Sequence, residues 1–133
     1  MEQKQLMKHA VEARGTAYTP YSKFPVGAAV LTEDGTLYTG CNIENAAYPV
    51  SLCAERVAIF KAISDGHKKF KSLAVAADTG RPVPPCGSCR QVMSEFFDSS
   101  VTIYTTNLTG DTKTFTMDEI LPFSFAPSDL PEE

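Results

Sequence analysis

The chain has 133 residues, a length that suits one globular domain and leaves no room for two of ordinary size. Apolar residues make up 43% of it, which is enough for one packed core, and the formal net charge is −4. Nucleic-acid binding needs a basic surface, so this acidic balance argues against a nucleic-acid partner and favours a small neutral substrate. We expect a single domain over residues 1–133.

Hydropathy and cysteine usage point to a reducing compartment. The sequence has no run of about 18 apolar residues that would span a bilayer. Its first segment, Met1 to Ala10, lacks the apolar centre of a signal peptide, so we expect a cytoplasmic protein without a membrane partner. Thiols stay reduced in the cytoplasm, and the four cysteines therefore predict metal ligands or catalytic groups rather than disulfides.

Helical and extended patterns alternate along the chain. The sequence predicts an amphipathic helix over 4–13 and two short strands over 26–31 and 36–41, which are joined by Asp34-Gly35, a pair typical of hairpin turns. The remaining predicted elements are, in chain order, a helix over 53–64, a strand over 72–77, a helix over 87–97, strands over 101–106 and 113–116, and a short helix over 118–121.

This order of elements predicts an α/β fold, a three-layer α/β/α sandwich with a five-stranded mixed sheet. The strands over 72–77 and 101–106 are joined by a helix, so we expect them to be parallel with a right-handed crossover. The turn after Thr106 is too short for a crossover, and the last strand should therefore run antiparallel to its neighbour.

Two cysteine-containing segments are candidates for chemistry: Cys-Ala-Glu-Arg from Cys53 and Pro-Cys-Gly-Ser-Cys-Arg from Pro85. A helix of about 12 residues rises about 18 Å and a strand of about six returns about 20 Å, so the second segment should come back to the sheet edge where the first begins. The thiols of Cys53, Cys86 and Cys89 would then meet at two helix N-termini, where thiolates are favoured. Three protein ligands and a water are typical of a catalytic zinc site.

Each part of this pattern also has another interpretation. Cys86 and Cys89 alone match a redox dithiol of the thioredoxin kind, which leaves Cys53 and Glu55 unexplained. A closed structural zinc site would need Cys41 as a fourth ligand, whereas we interpret Cys41 as an ordinary small buried hydrophobic residue. Glu55 is also a first-turn acid favoured by the helix dipole, but its place two residues after a ligand suits proton transfer beside a metal-activated water.

The motifs together resemble a known family. Cys-Ala-Glu from Cys53 and Pro-Cys-Gly-Ser-Cys from Pro85 look like the three-cysteine form of the zinc-deaminase signature. Tyr-Ser-Lys-Phe-Pro-Val-Gly-Ala from Tyr21 and Gly-Cys-Asn-Ile-Glu-Asn-Ala from Gly40 extend the resemblance to the short, homotetrameric zinc-dependent cytidine deaminases, over nearly the whole chain. It implies a cytidine deaminase-like fold, one Zn²⁺ per chain, a homotetramer with shared active sites, and hydrolysis of cytidine and 2′-deoxycytidine to uridine-type products and ammonia in pyrimidine salvage.

The same resemblance implies roles for individual residues. Cys53, Cys86 and Cys89 would be the zinc ligands, and Glu55 would carry protons while zinc-activated water attacks C4 of the pyrimidine. The positions that it assigns to substrate binding are Phe24, Asn42, Glu44, Ala46, Tyr48, Ala54 and Phe125.

The predicted substrate-binding residues would contact different parts of the nucleoside. Asn42 and Glu44 alternate around Ile43, so in an extended segment they face one side, where they would bind the ribose, chiefly its 3′-hydroxyl. Taken alone, they are also polar loop residues that bond to nearby backbone. Phe24 would pack on the base or belong to the core, and the free N–H of Ala54 suits the pyrimidine carbonyl.

Other expectations concern charge and neighbouring subunits. By resemblance, Ala46, Tyr48 and Phe125 would reach a neighbouring subunit's site. Three thiolates on Zn²⁺ leave a formal charge of −1, so we predict that Arg56 points inward and donates to ligand sulfur, although most arginines lie on helix exteriors. Deaminases of nucleotides and of tRNA adenosine are disfavoured by the Glu44 carboxylate and the acidic balance respectively, and deaminases of drug-like cytosine nucleosides remain an alternative.

Overall fold

The computed structural model describes residues 1–131 and contains the predicted elements, with ends shifted by at most two residues. Its α-helices within that part of the chain are α1 (Gln3–Ala13), α2 (Ala54–Ser64), α3 (Gly87–Phe96) and α4 (Met117–Ile120). The strands are β1 (Val26–Thr32), β2 (Leu37–Cys41), β3 (Phe70–Ala77), β4 (Thr102–Thr106) and β5 (Thr112–Phe115). None of the helices between residues 1 and 131 is long and apolar enough to cross a membrane.

The strands form one mixed sheet in the order β2-β1-β3-β4-β5. β3 and β4 are parallel, and β5 is antiparallel to β4, which confirms both predictions of strand direction. The remaining neighbours, β2–β1 and β1–β3, pair antiparallel. Parallel strands end at the same edge of a sheet, so the segments that follow β3 and β4 leave the sheet side by side.

The hairpin between β1 and β2 has the turn that the Asp-Gly pair predicts. Thr32 N donates to Thr36 O at 2.9 Å, and Gly35 N donates back to Thr32 O at 3.0 Å. Gly35 has a φ of 92°, a conformation that glycine adopts without the steric cost other residues incur.

Helices cover both faces of the sheet because the strand side chains alternate. On one face, Leu6 and Ala10 of α1 pack in a buried cluster with alternate residues of the two central strands, namely Ala29, Leu31, Ala74 and Ala76. The residues between them, Ala28, Val30, Leu73 and Val75, pack on the other face with α2, α3 and α4. This arrangement confirms the three-layer α/β/α prediction.

Close packing of α2 on β2 fixes the position of the N-terminus of α2. A Cβ atom at Gly40 would lie 2.5 Å from both Ala54 O and Ala58 N, so only glycine lets the strand approach the helix this closely. Ala54, Ala58 and Ala62 are fully buried on the same helix. Small side chains on both elements therefore hold the N-terminus of α2 against the sheet.

Candidate active site and metal centre

Three thiols lie together at the edge of the sheet where α2 and α3 begin. Cys53 and Cys86 are the residues immediately before the two helices, and Cys89 lies in the first turn of α3. Their sulfurs are 3.5 Å apart between Cys53 and Cys86 and 3.2 Å apart between Cys86 and Cys89, and all three lie within 4.8 Å of one another. Cys89 is buried, Cys53 half-buried and Cys86 exposed, so the group opens on one side.

The chemistry of this donor set fits zinc. A tetrahedral ion with Zn–S bonds of about 2.3 Å holds its sulfurs about 3.8 Å apart, close to the spacing seen here. The three residues are free thiols, and two of them stand at helix N-termini that favour the thiolate. Within residues 1–131 this is the one cluster of three or more cysteine, histidine or acidic side chains suited to a metal.

Cys41 lies outside the cluster, so a closed site with four cysteine ligands has no support in the geometry. It ends β2, and its sulfur is 3.6 Å from the Thr16 hydroxyl that points at it. The prediction that Cys41 is buried is wrong, since the residue is only half-buried. The reason is that β2 is an edge strand of the sheet.

Cys53 is the thiol of the cluster that ionises most readily. A hydrogen bond from the Cys89 thiol, aided by the Arg56 guanidinium and opposed by burial, lowers the pKa of Cys53 to about 5. The hydrogen bond to Cys53 and the burial of Cys89 raise the pKa of the Cys89 thiol. One thiolate therefore forms readily, and a cation is needed to bring the other thiols to the same state.

Arg56 turns toward this charge. Its Nη2 lies 3.5 Å from Cys53 Sγ and 3.4 Å from Ser51 O, and the bond to Cys53 raises the pKa of the guanidinium. Its Nε is buried without a hydrogen-bond partner among the described residues. The side chain thus lies over the ligand cluster and not on the helix exterior.

Glu55 is a buried carboxyl group beside the thiols. Its side chain lies in the first turn of α2 and the residue is only 4% exposed. Burial, with a further contribution from the Cys53 thiolate, raises the pKa of Glu55 to about 7. A carboxyl group with such a pKa can both accept and return a proton near neutral pH.

A cavity of about 490 Å³ opens over Glu55, Cys53 and Cys86, a size typical of sites for small organic molecules. Of the substrate-binding positions predicted from the sequence, those that line it are Phe24, Asn42, Glu44, Tyr48 and Ala54. Ala46 and Phe125 are exposed and lie outside its wall.

Asn42 and Glu44 face the cavity while also bonding to backbone. Asn42 Oδ1 accepts from Val26 N at 2.9 Å, and its Nδ2 donates to Phe24 O at 2.9 Å. Glu44 accepts from the backbone N–H and hydroxyl of Ser22 and from the backbone N–H of Tyr21. These bonds hold both side chains in place, and each keeps further hydrogen-bonding capacity for a ligand.

The sequence did not predict one wall of the cavity. Val83, Pro84 and Pro85, in the segment before α3, line the cavity together with the predicted positions. The signal available was the cluster of three prolines before Cys86, which indicates an extended segment but not the surface that it faces.

Comparison with known proteins places the chain among deaminases. Residues 1–105 match the family model described as the cytidine and deoxycytidylate deaminase zinc-binding region. The chain is 56% identical to the cytidine deaminase of Sporosarcina psychrophila, over 98% of this chain and 96% of that protein. It is 50% identical to the cytidine deaminase of Halalkalibacterium halodurans, with 98% of both covered. The crystal structure of cytidine deaminase from Burkholderia pseudomallei superposes with a TM-score of 0.91 at 42% identity, covering 94% of this chain and 100% of that one.

Proposed function

Because this chain belongs to the cytidine and deoxycytidylate deaminase family, we infer that it is a zinc-dependent hydrolase that converts cytidine to uridine and ammonia. The observation that carries the inference is the convergence of three thiols and one buried carboxyl group on a single cavity. A redox dithiol would use only Cys86 and Cys89, and it gives no reason for Glu55 to be buried beside them.

The residues that hold the metal follow from the donor set. We propose Cys53, Cys86 and Cys89 as the ligands of one Zn²⁺, since their sulfurs already lie within reach of a single ion. When bound, zinc supplies a Lewis acid that lets water act as a nucleophile at neutral pH.

Glu55 moves the protons in the proposed mechanism. It accepts a proton from the attacking water and passes it to N3 of the cytosine ring. It then takes the second proton of that water to the amino group on C4, which leaves as ammonia while the water oxygen remains on C4 as the uridine carbonyl. The raised pKa of Glu55 suits this double use, because one carboxyl group must act first as base and then as acid.

Four of the residues that line the cavity have proposed roles in substrate binding. We propose that Asn42 and Glu44 hold the ribose, chiefly by its 3′-hydroxyl, so that 2′-deoxycytidine is also a substrate. The hydroxyl of Ser22, with two backbone donors, lowers the pKa of Glu44 and keeps it ionised, which disfavours a phosphorylated substrate. Phe24 would pack on the base, and the Ala54 N–H at the start of α2 would bind the pyrimidine carbonyl.

Arg56 balances the charge of the metal centre. Three thiolates exceed the charge of one Zn²⁺ by one, and the guanidinium at 3.5 Å from Cys53 Sγ offsets it. A hydrogen bond to a ligand sulfur is the kind of outer contact that tunes metal affinity.

A homotetramer with shared active sites is also proposed, with the whole chain as one domain per subunit. Large apolar side chains are exposed near the cavity mouth and in the C-terminal tail, where Tyr48 is 68% and Phe125 is 58% exposed. Surfaces of this kind favour association. We propose that Ala46, Tyr48 and Phe125 reach a neighbouring subunit's site, and that the enzyme serves pyrimidine salvage in the cytoplasm, where its thiols stay reduced.

The direct test of the function combines metal analysis with an assay. The purified chain should contain one zinc per subunit by mass spectrometry, and the ultraviolet spectrum of cytidine should change to that of uridine as ammonia forms. Removal of zinc with a chelator should stop the reaction, and stoichiometric zinc should restore it. A chain that binds no zinc, or that deaminates cytidine without any metal, would contradict the proposal.

The shared-site proposal makes a separate prediction. Phe125→Ala should raise KM for cytidine by roughly tenfold, because it removes a large apolar contact worth about 1–2 kcal/mol from the neighbouring site. Zinc content should stay at the wild-type level. Sedimentation of the wild type should meanwhile give about four times the 14.4 kDa mass of one chain.

Leu108→Ala is the matched control for this experiment. Leu108 is another exposed apolar side chain, in the turn between β4 and β5, and it lines no part of the cavity. Its replacement should leave KM unchanged. A fully active wild-type monomer would remove the shared-site roles of Ala46, Tyr48 and Phe125.

A further inference from the structure

The segment over 78–86 links β3 to α3 and carries Cys86 into the thiol cluster. It has no regular secondary structure, and three of its residues, Pro82, Pro84 and Pro85, have no backbone N–H to donate. The same segment forms the cavity wall through Val83, Pro84 and Pro85. Its position therefore affects both the metal ligand and the shape of the cavity.

Two side chains outside the segment donate hydrogen bonds to its backbone carbonyls, one at each end, within residues 1–131. Asn107 Nδ2 donates to Thr79 O at 3.0 Å, and Arg90 Nε donates to Pro85 O at 2.8 Å. Arg90 is part of α3 itself and also bonds to Ile120 O. Asn107 is the only one of the two that ties the segment to the sheet.

Asn107 is placed for this contact by the parallel pairing of β3 and β4. Ala76 lies opposite Thr106 in that pair, so the residues after Thr106 and after Ala77 leave the sheet together. Asn107 is 2% exposed, and its side chain reaches across to Thr79.

Every polar atom of the Asn107 side chain is used. Its Nδ2 donates to Asp111 Oδ2 as well as to Thr79 O, both at 3.0 Å. Its Oδ1 accepts from the backbone N–H groups of Thr109 and Asp111 and from the Thr109 hydroxyl. The tight turn between β4 and β5 thus orients the amide so that its donor side faces Thr79.

We propose that Asn107 is a positioning residue of the metal centre, which holds the segment over 78–86 through the Thr79 carbonyl and so places Cys86 against the other two thiols. The inference rests on the proposed function in taking Cys86 as a zinc ligand. Asn107 does not touch the cavity, and it acts only through the segment.

The test exchanges the two side chains of the turn, Asn107→Asp together with Asp111→Asn. The double variant is nearly isosteric and keeps the net charge. The side-chain amide at position 111 can then donate a hydrogen bond to the carboxylate at position 107. The Thr79 carbonyl loses its donor and faces a carboxylate oxygen at position 107 instead. Zinc release from the holoenzyme to a chelator and deuterium exchange of the Arg90 backbone amide, which donates to Cys86 O at 3.0 Å, should each become at least about fivefold faster, the factor expected for one lost hydrogen bond. KM for cytidine should rise with kcat little changed.

Thr109→Val is the matched control, because it removes the hydroxyl bonds to Asn107 and Asp111 but leaves the bond to Thr79. It should keep wild-type zinc release and wild-type exchange of the Arg90 amide. If the double variant does not fold, Asn107→Ser provides the comparison, since its hydroxyl still accepts from the turn but is too short to reach Thr79.

The outcomes separate the inference from the proposed function. A wild-type chain that holds no zinc and leaves cytidine intact would overturn the proposed function, and the inference with it. A zinc-loaded, active wild type whose Asn107 variant matches it in zinc release and exchange would overturn the inference alone. Equal acceleration in Thr109→Val would also overturn it, because the effect would then belong to the turn as a whole.

Discussion

Glu55→Gln is expected to abolish cytidine turnover while zinc and fold are retained. The amide has nearly the same shape as the buried carboxyl group, so it fits the same packing, but it cannot accept the proton of the attacking water. General acid–base help from one side chain is worth about 10²–10⁴ in rate, and Glu55 acts once as base and once as acid. We therefore expect kcat to fall by at least about 10⁴-fold, measured by the ultraviolet assay with zinc content determined on the same sample.

Glu119→Gln is the control for the simpler interpretation of Glu55 as a first-turn acid. Glu119 is also an acid in the first turn of a helix, in the capping box of α4, and it is exposed. If only the helix dipole mattered, the two substitutions would have similarly small effects. Activity of Glu55→Gln within tenfold of the wild type would contradict the catalytic role.

The order of the elements along the chain and three of the four strand pairings could be predicted because their signals are local, whereas no local signal predicts the antiparallel pairing of β1 with β3. Alternating apolar residues, the Asp34-Gly35 turn and connection lengths were enough to predict parallel β3 and β4 and an antiparallel β5. The convergence of the cysteines follows from the similar rise of the helix, about 18 Å, and of the returning strand, about 20 Å. The extra residues at the start of β3 could not be predicted, because Phe70 pairs with Thr32 through a register shift in β1 that only the assembled sheet contains.

The parts of the site that the sequence did not predict depend on contacts between distant segments. Strand alternation predicts that Asn42 and Glu44 face one side, but their bonds to Phe24, Val26 and Ser22 reach the start of β1 and the loop before it, which only the fold brings near. The sequence predicts only that Asn107 belongs to a turn. Its burial and its bond to Thr79 arise from the pairing of β3 with β4, so no local pattern marks it.

Replacing each cysteine in turn should separate the ligands from Cys41. Cys53→Ser, Cys86→Ser and Cys89→Ser are expected to lose bound zinc and turnover together, because a serine hydroxyl is far harder to ionise than a thiol and zinc binds the ionised group. Cys41→Ser should keep one zinc per chain and near-wild-type turnover, since its sulfur lies outside the cluster. Zinc is measured by mass spectrometry after dialysis against a weak chelator, with circular dichroism on each variant to check the fold.

The zinc affinity of Arg56→Gln should lie between that of the three ligand variants and that of Cys41→Ser. It leaves all three sulfurs in place but removes the guanidinium that lies 3.5 Å from Cys53 Sγ. Loss of an outer contact to a ligand typically weakens metal affinity by about 10- to 100-fold, so zinc should bind but be released to competing chelator at lower concentration. Zinc loss in Cys41→Ser would support a four-cysteine site. Wild-type zinc affinity in Arg56→Gln would show that other groups, such as the two helix N-termini, balance the charge of the thiolates.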